Sequence, residues 1–174
     1  PSETLLVLGA AGGVGLTAVE IGKRLGARVI ACARGPERLQ IARDAGADEA
    51  IDSESPDLRG QFKALGGVDV AYDAVGGPAF HEALRAMRPE GRMLSIGFAS
   101  GEVPQVPANL LLVKNVTVQG FYWGGYARFA PAALRTSLAE LMAWHGAGAL
   151  HPHISHILPL DRAAEALALL RDRR

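Results

Sequence analysis

In the first half of the chain, short apolar runs alternate with amphipathic stretches. The apolar runs have few polar interruptions, as in strands that are buried on both faces of a parallel sheet. The predicted strands are residues 5–8, 28–33, 49–52, 68–75 and 91–97. The stretches between them carry apolar residues at helical spacing, and the predicted helices are residues 16–25, 36–45, 57–65 and 78–87. This alternation predicts an α/β fold with a parallel sheet wound by right-handed crossovers.

The second half has a different pattern. Residues 116–123 alternate and carry β-branched and aromatic side chains, which predicts a sixth strand. Residues 130–145 form a predicted helix, and residues 151–160 are predicted to be extended. We expect Asp161 to cap a last helix that runs to residue 171.

Composition narrows the classes of function. The 174 residues suit one domain, and 18 basic side chains balance 18 acidic ones, which argues against a generic nucleic-acid binder. No apolar run approaches the roughly 20 residues of a membrane helix.

The one cysteine, Cys32, excludes an intramolecular disulfide and a cysteine-cluster zinc site, and we expect it to be buried and inert. We expect a cytoplasmic protein with a small-molecule substrate and with neither nucleic acid nor membrane as a partner.

A glycine cluster follows the first strand and opens the first helix. Its spacing is Gly9-x-x-Gly12-x-x-Gly15, with a further glycine at Gly13. Glycines let a backbone turn tightly and approach phosphates, and the free N–H groups of the following helix point at them. The pattern therefore predicts a cradle for a dinucleotide pyrophosphate. A glycine-rich turn without a ligand is the alternative.

The end of the second strand bears on which nucleotide is bound. NAD-binding proteins usually carry a carboxylate there for the ribose 2′-hydroxyl, but this chain has Ala33 followed by Arg34. A guanidinium can grip a 2′-phosphate with two hydrogen bonds, so the sequence favours NADP over NAD. Glu37, in the next helix, is the counter-evidence. A solvated helix start is the alternative for Arg34 and Arg38.

Several segments together resemble the medium-chain dehydrogenase/reductase superfamily. They are GAAGGVGL at 9–16, RVIACA at 28–33, AGAD at 45–48, DVAYD at 69–73, GRMLSIG at 91–97, NLLLVKN at 109–115 and GFYWG at 120–124. Within it, the chain is most similar to zinc-independent NADPH:quinone oxidoreductases and enoyl reductases. The resemblance implies a six-stranded Rossmann domain in the order 3-2-1-4-5-6, and hydride delivery from NADPH to a quinone or an activated double bond.

The resemblance also implies roles for individual residues. The pyrophosphate would lie on residues 11–14, the 2′-phosphate on Arg34 and Arg38, and the nicotinamide between residues that follow the fourth, fifth and sixth strands. The complete set of candidate cofactor-binding residues is Gly9, Ala11, Gly12, Gly13, Val14, Gly15, Arg34, Arg38, Val75, Gly76, Gly97, Phe98, Tyr122 and Trp123. No residue is predicted to be catalytic and no metal is expected.

Members of the superfamily are longer, because an N-terminal domain supplies half of their active cleft. We therefore expect this chain to be the cofactor-binding part of a larger reductase, with little turnover by itself. Residues 1–150 would form the Rossmann domain, and residues 151–174 an extended segment and a helix that return toward the other domain. The resemblance also implies a homodimer through strand 116–122. The alternative function is a non-catalytic module that binds or senses NADP.

Three other groups of residues leave their roles open. The spacing of the four histidines at 145, 151, 153 and 156 favours an interpretation as surface residues over an interpretation as a metal site. Asp73, on the same strand face as Asp69, either touches the cofactor or caps the turn at Gly76. The aromatic residues 122, 123 and 126 either stack on nicotinamide or substrate, or pack against a partner.

Overall fold

The computed structural model describes residues 3–172, and the ends of both predicted domains, residues 1–2 and 173–174, lie outside the described residues. Its core is one six-stranded parallel sheet in the order β3-β2-β1-β4-β5-β6, which confirms the predicted fold class. The strands are β1 (Thr4–Leu8), β2 (Arg28–Ala33), β3 (Glu49–Asp52), β4 (Val68–Asp73), β5 (Met87–Ser95) and β6 (Thr117–Gly120). The helices are α1 (Gly13–Arg24), α2 (Pro36–Asp44), α3 (Leu58–Ala64), α4 (Gly77–Ala86), α5 (Ala108–Lys114), α6 (Tyr126–Phe129), α7 (Pro131–Gly146) and α8 (Ala163–Arg171).

Helices cover both faces of the sheet because neighbouring strand residues point to opposite sides. On one face Val7 and Val29 pack with Val19 of α1 and Ala42 of α2. On the other face the cluster includes Leu6, Ile30, Phe62 of α3 and Phe80 of α4, and Leu110 and Leu111 of α5 pack against it. These layers account for the uninterrupted apolar runs, since the central strands contact helices on both sides.

Some predicted boundaries shift for local reasons. The fourth strand ends at Asp73, not at residue 75, because the N–H groups of Val75 and Gly76 turn back to the Asp73 carboxylate. The first helix begins at Gly13, not at residue 16, so the last glycines of the cluster lie inside it. β5 begins early, at Met87, with a register shift against β4 and a left-handed backbone at Glu90 (φ 65°).

The sixth strand is shorter than the sequence predicts. It ends at Gly120, and Phe121 makes a last bond to the sheet by donating its N–H to the Ser95 oxygen at 3.0 Å. A 3-10 turn at Trp123–Gly125 then leads the chain away. Phe121 and Trp123, which raise the strand propensity of this segment, stack on each other after the strand instead of extending it.

The last third of the described chain is helical but contributes little to the core. No residue of α7 or of α8 is buried, although both helices have the predicted apolar positions. Residues 151–159, predicted to be extended together with residue 160, have no regular secondary structure, and Leu160 begins a 3-10 turn. The prediction that Asp161 caps the last helix is wrong, because Asp161 lies in a 3-10 turn (Leu160–Arg162) and Arg162 is the capping position, with no side-chain bond.

The topology fixes where a ligand would lie. β1 pairs with β2 on one side and with β4 on the other, so the connections leave β1 and β4 in opposite directions. In open α/β sheets this reversal leaves a crevice at the carboxyl ends of the strands, where ligands bind. The glycine loop after β1 and the turn after β4 both lie at this crevice.

Candidate functional site

The glycine loop leaves no room for side chains at two positions. Gly9 has a φ of +73°, and a Cβ there would lie 2.8 Å from Cγ2 of Val75, so the loop packs directly against the turn after β4. At Gly15 a Cβ would lie 2.1 Å from the Gly9 oxygen. Glycine is therefore required at both positions to bring the start of α1 onto the end of β1.

The amino end of α1 points its free N–H groups into this crevice. Gly12 caps the helix without a side-chain hydrogen bond, and the first amides of a helix have no acceptor within it. Open space lies where a Cβ of Gly13 would be, and Gly12, Gly13 and Val14 are exposed. Exposed amides at the positive end of a helix dipole fit an anionic group such as a pyrophosphate.

The turn after β4 is organised by a buried carboxylate. Asp73 is fully buried, and its Oδ1 accepts the N–H of Val75 at 2.8 Å and that of Gly76 at 2.9 Å. Its Oδ2 has no hydrogen-bond partner among the described residues. Burial raises the pKa of the Asp73 carboxyl, and the two backbone N–H groups oppose that rise. Of the two predicted roles, capping of the turn is the one that the structure shows.

The arginine predicted to bind a 2′-phosphate has an acidic neighbour. Arg34 follows β2 and is more than half exposed, and its Nε lies 3.1 Å from Oε1 of Glu54, which follows β3. Arg38 lies one turn further on, in α2, and is half-buried. A guanidinium is thus available at the end of β2, beside a carboxylate.

A cleft of about 360 Å³ connects Arg34 to the β4 turn. Its polar lining comes from Arg34, Ser53, Ser55, Glu82 and Ser100, and its apolar lining includes Pro56, Leu58, Val75 and Ala79. That volume is typical of a small-molecule site. Val75 and Gly76, which we predicted to flank the nicotinamide, line the same cleft as Arg34.

The candidates after β5 and β6 lie further along the crevice. The Gly97 N–H donates to the backbone carbonyl oxygen of Asp73 at 3.4 Å, and Phe98 is partly exposed near Gly76. Trp123 stacks with Phe121 at 6.0 Å between ring centroids, in an aromatic cluster that also includes Tyr126 and Phe129. Tyr122 is 78% exposed.

The histidines and the cysteine do not form a reactive centre. Among residues 3–172, no three His, Cys, Asp or Glu side chains come together in a way that fits a metal ion. The N–H of His151 donates to the Glu20 carboxylate, and the His145 ring contacts the Leu150 oxygen. Cys32 is buried as predicted; desolvation, with the Asp52 charge as a smaller cause, raises the pKa of its thiol to about 12. No helix of the described chain is both long and apolar enough to cross a membrane.

Comparison with known proteins shows which family this chain belongs to. Residues 13–141 match a family model described as zinc-binding dehydrogenase. The chain belongs to the zinc-binding dehydrogenase family. This membership confirms the resemblance to the medium-chain dehydrogenase/reductase superfamily. The part of this family member that the structure describes brings together no donor set for zinc, so we derive no step through a metal.

The relatives are about twice as long as this chain. It is 38% identical to the quinone oxidoreductase-like protein 2 of Bos taurus, over all of this chain and 51% of that protein. The Escherichia coli quinone oxidoreductase complexed with NADPH has a TM-score of 0.87 and 31% identity, over 99% of this chain and 55% of its own. The Pseudomonas syringae quinone oxidoreductase has a TM-score of 0.86 and 33% identity, over 100% of this chain and 55% of its own. The chain thus spans about half the length of the relatives it matches.

Sequence reasoning missed one part of this site. The residues between β3 and α3, including Glu54 and the cleft residues Ser53 and Ser55, carry no glycine or charge motif. The only available signal was position, because residues that directly follow a strand of a parallel sheet all emerge at the same edge.

Proposed function

We propose that this chain is the NADP(H)-binding domain of an oxidoreductase that delivers hydride to a quinone or an activated double bond. The observation that carries the proposal is the exposed amino end of α1, where Gly12 and Gly13 have no side chain, packed by Gly9 and Gly15 onto β1, with Arg34 at the end of the adjacent strand. A solved relative with this fold is a quinone oxidoreductase complexed with NADPH, which supports the same assignment.

The residues of the crevice fit such a dinucleotide. Residues 11–14 would hold the pyrophosphate through the N–H groups of Ala11, Gly13 and Val14, since the Gly12 N–H donates to the Gly9 oxygen at 3.0 Å. Arg34 and Arg38 would hold the 2′-phosphate. The cleft between Arg34 and Val75 has the size and the apolar lining that suit the adenosine. When bound, the dihydronicotinamide supplies the hydride, and this chain's residues bind and orient it.

Asp73 fixes the Val75–Gly76 turn through its two accepted N–H bonds, and this turn would lie between the adenosine cleft and the nicotinamide. Gly97, Phe98, Tyr122 and Trp123 would border the ring. We assign no residue of this chain to proton transfer or to substrate contact. We also propose that the reaction does not require zinc. The division into a Rossmann domain, residues 1–150, and a C-terminal segment, residues 151–174, is likewise part of the proposal.

The first test is cofactor selectivity. We expect the chain to bind NADPH at least tenfold more tightly than NADH, which corresponds to about 1.4 kcal/mol. Arg34→Ala should remove most of that difference, because the 2′-phosphate loses its guanidinium. Calorimetric titration with both cofactors measures it, with Arg43→Ala, at the far end of α2, as the control. Equal affinities, or an unchanged NADPH affinity in Arg34→Ala, would contradict the proposal.

The second test is turnover. With NADPH and a quinone or an enone, we expect this chain to work far below the roughly 10 per second of a typical enzyme, because half of a relative's length is outside it. Steady-state oxidation of NADPH, followed at its absorbance band, gives the rate. A rate near that value would show that the reacting site is complete within these residues.

We also propose that the chain forms a homodimer through β6. β6 is the last strand in the sheet order and carries neither charge nor proline, so its outer edge is a row of unpaired backbone groups. Pairing across a two-fold axis would join two six-stranded sheets into one.

A further inference from the structure

Glu54 lies beside Arg34, the arginine that we propose to hold the 2′-phosphate. β2 and β3 are parallel neighbours, with Ala33 opposite Asp52, so the residues after each strand emerge together. Arg34 is the first residue after β2, and Glu54 is the second after β3. Their charged groups meet, with 3.1 Å between Nε of Arg34 and Oε1 of Glu54.

The backbone holds these two residues side by side. Oδ1 of Asp52 accepts the Glu54 N–H at 3.0 Å and the Gly35 N–H at 3.4 Å, so one carboxylate links both segments. The Ser53 N–H also donates to the Ala33 oxygen at 2.9 Å. The proximity of Arg34 and Glu54 therefore follows from the strand pairing, and not only from the rotamers of two exposed side chains.

This arrangement affects the two cofactors differently. A phosphate group carries between one and two negative charges, so to reach Arg34 it must displace the Glu54 carboxylate or lie beside a like charge. The 2′-hydroxyl of NADH meets no such repulsion. A carboxylate near the end of the second strand is also the group that accepts a hydrogen bond from that hydroxyl in NAD-binding proteins, and Ala33 cannot do so.

We propose that Glu54 is a specificity-determining residue that competes with the 2′-phosphate for Arg34 and lowers the preference for NADPH over NADH. The inference rests on the proposed function, since it requires a cofactor in the crevice. The expected effect is about two- to fivefold, because both side chains are more than half exposed and exposed ion pairs are weak.

The experiment compares the dissociation constants of NADPH and NADH, by calorimetry at low salt, for the 174-residue chain and its variants. In Glu54→Gln the preference for NADPH should rise by about two- to fivefold. Glu49→Gln is the matched control, because Glu49 is the first residue of β3 and pairs with Arg28 at the same distance of 3.1 Å, but at the amino end of the strands, away from Arg34. Its preference should equal that of the wild type.

Two further measurements separate competition for Arg34 from general repulsion. In an Arg34→Ala background, Glu54→Gln should no longer change the preference, because the group for which Glu54 competes is gone. The gain should also shrink between about 0.1 M and 1 M salt, where the screening length falls from about 10 Å to about 3 Å. Far-UV circular dichroism checks that each variant is folded.

An unchanged or lower preference in Glu54→Gln would overturn the inference. So would an equal gain in Glu49→Gln, or a full gain in the Arg34→Ala background. If Arg34→Ala weakens NADPH binding while Glu54→Gln has no effect, this inference fails and the proposed function stands. If the wild type does not bind NADPH, or binds it independently of Arg34, both fail.

Discussion

The chain before Ser95 and the chain after it differ in how they use apolar residues. All but two of the buried apolar side chains among the described residues precede Ser95; the two are Val116 and Leu150. Most of the exposed large apolar side chains lie after it, including Leu112, Met142, Ile157 and Leu170. Both regions contain helices with apolar positions, but the second region packs only a few apolar side chains, such as Leu110 and Leu111, against the core of the described chain.

This difference shows that an amphipathic pattern predicts a helix and not what the helix packs against. α4 places Phe80 and Leu84 against the sheet, whereas no leucine of α7 or α8 is buried. The glycine loop, Arg34 and the β4 turn all belong to the packed region. Of the predicted cofactor-binding residues, Gly97, Phe98, Tyr122 and Trp123 lie beyond it. Stability and cofactor binding should therefore depend mainly on the first region.

The largest contrast should come from one substitution made in both regions. Leu84→Ala removes a fully buried side chain and should lower the free energy of unfolding by about 2–5 kcal/mol. Leu170→Ala, at a side chain that is 75% exposed, should change it by less than about 0.5 kcal/mol. Urea unfolding followed by circular dichroism measures both. Similar losses would mean that α8 packs against something that this structure does not show.

Within the first region, an added methyl group should have opposite consequences at two glycines of the same loop. Gly15→Ala forces a Cβ against the Gly9 oxygen, so we expect it to cost about 1–3 kcal/mol of stability and to abolish NADPH binding. Gly13→Ala has open space and a helical backbone, so it should be neutral or stabilise the fold by up to about 1 kcal/mol. Thermal unfolding with cofactor titration distinguishes them. A destabilised Gly13→Ala would contradict the open geometry of the α1 start.

The edge strand of the second region gives a test of assembly. Backbone N–H groups alternate along a strand, and that of Phe121 points to β5, so that of Val118 points outward. Val118→Pro should therefore convert a dimer into a monomer while keeping the bonds between β5 and β6. Val118→Thr keeps the N–H group and the branched shape, and it should stay dimeric. Light scattering decides, and a wild-type monomer at micromolar concentration would refute the proposed interface.

The smallest expected effect is on pH dependence. Because the folded-state pKa of Asp73 is raised, the stability it contributes is present below its ordinary pKa of 3.8 and is lost as pH rises through the folded value. Asp73→Asn should therefore gain stability relative to wild type as pH rises above 3.8. The control is Asp48→Asn. Partial burial raises the pKa of Asp48, but Lys23 and the Val29 N–H lower it overall, so its contribution is lost on acidification below 3.8. Parallel curves for Asp73→Asn and wild type would contradict the raised pKa.

The sequence predicted the central sheet well because each of its strands carries its own signal. Residues 28–33 and 49–52 match β2 and β3 in full. The order of the six strands, which the family resemblance implied, also agrees with the structure. The glycine loop was predictable as well, since its spacing between a strand and a helix has a physical cause. The shortened β6 was not, because strand propensity in residues 121–123 competes with aromatic packing that only the folded chain brings about.

The ion pair between Arg34 and Glu54 could not be predicted from local sequence. The two residues are far apart in the chain, and strand pairing alone brings them together. The same holds for the Asp73 turn, where sequence left two roles open and the direction of two N–H groups decided between them. Side-chain chemistry was thus visible in the sequence, but the partners were not.

The place of Cys32 gives this chain an intrinsic reporter of its own opening. Its carbonyl oxygen accepts the N–H groups of Gly9 and Ala10, so it lies at the base of the glycine loop. Alkylating reagents attack the thiolate, which a buried thiol with a pKa of about 12 almost never presents while folded. Because the chain has one thiol, its rate of modification by a maleimide measures how often the region around β2 opens and exposes Cys32. A ligand that binds only the closed form would slow that reaction in proportion to its occupancy, so the crevice can be titrated without a label or an enzymatic assay.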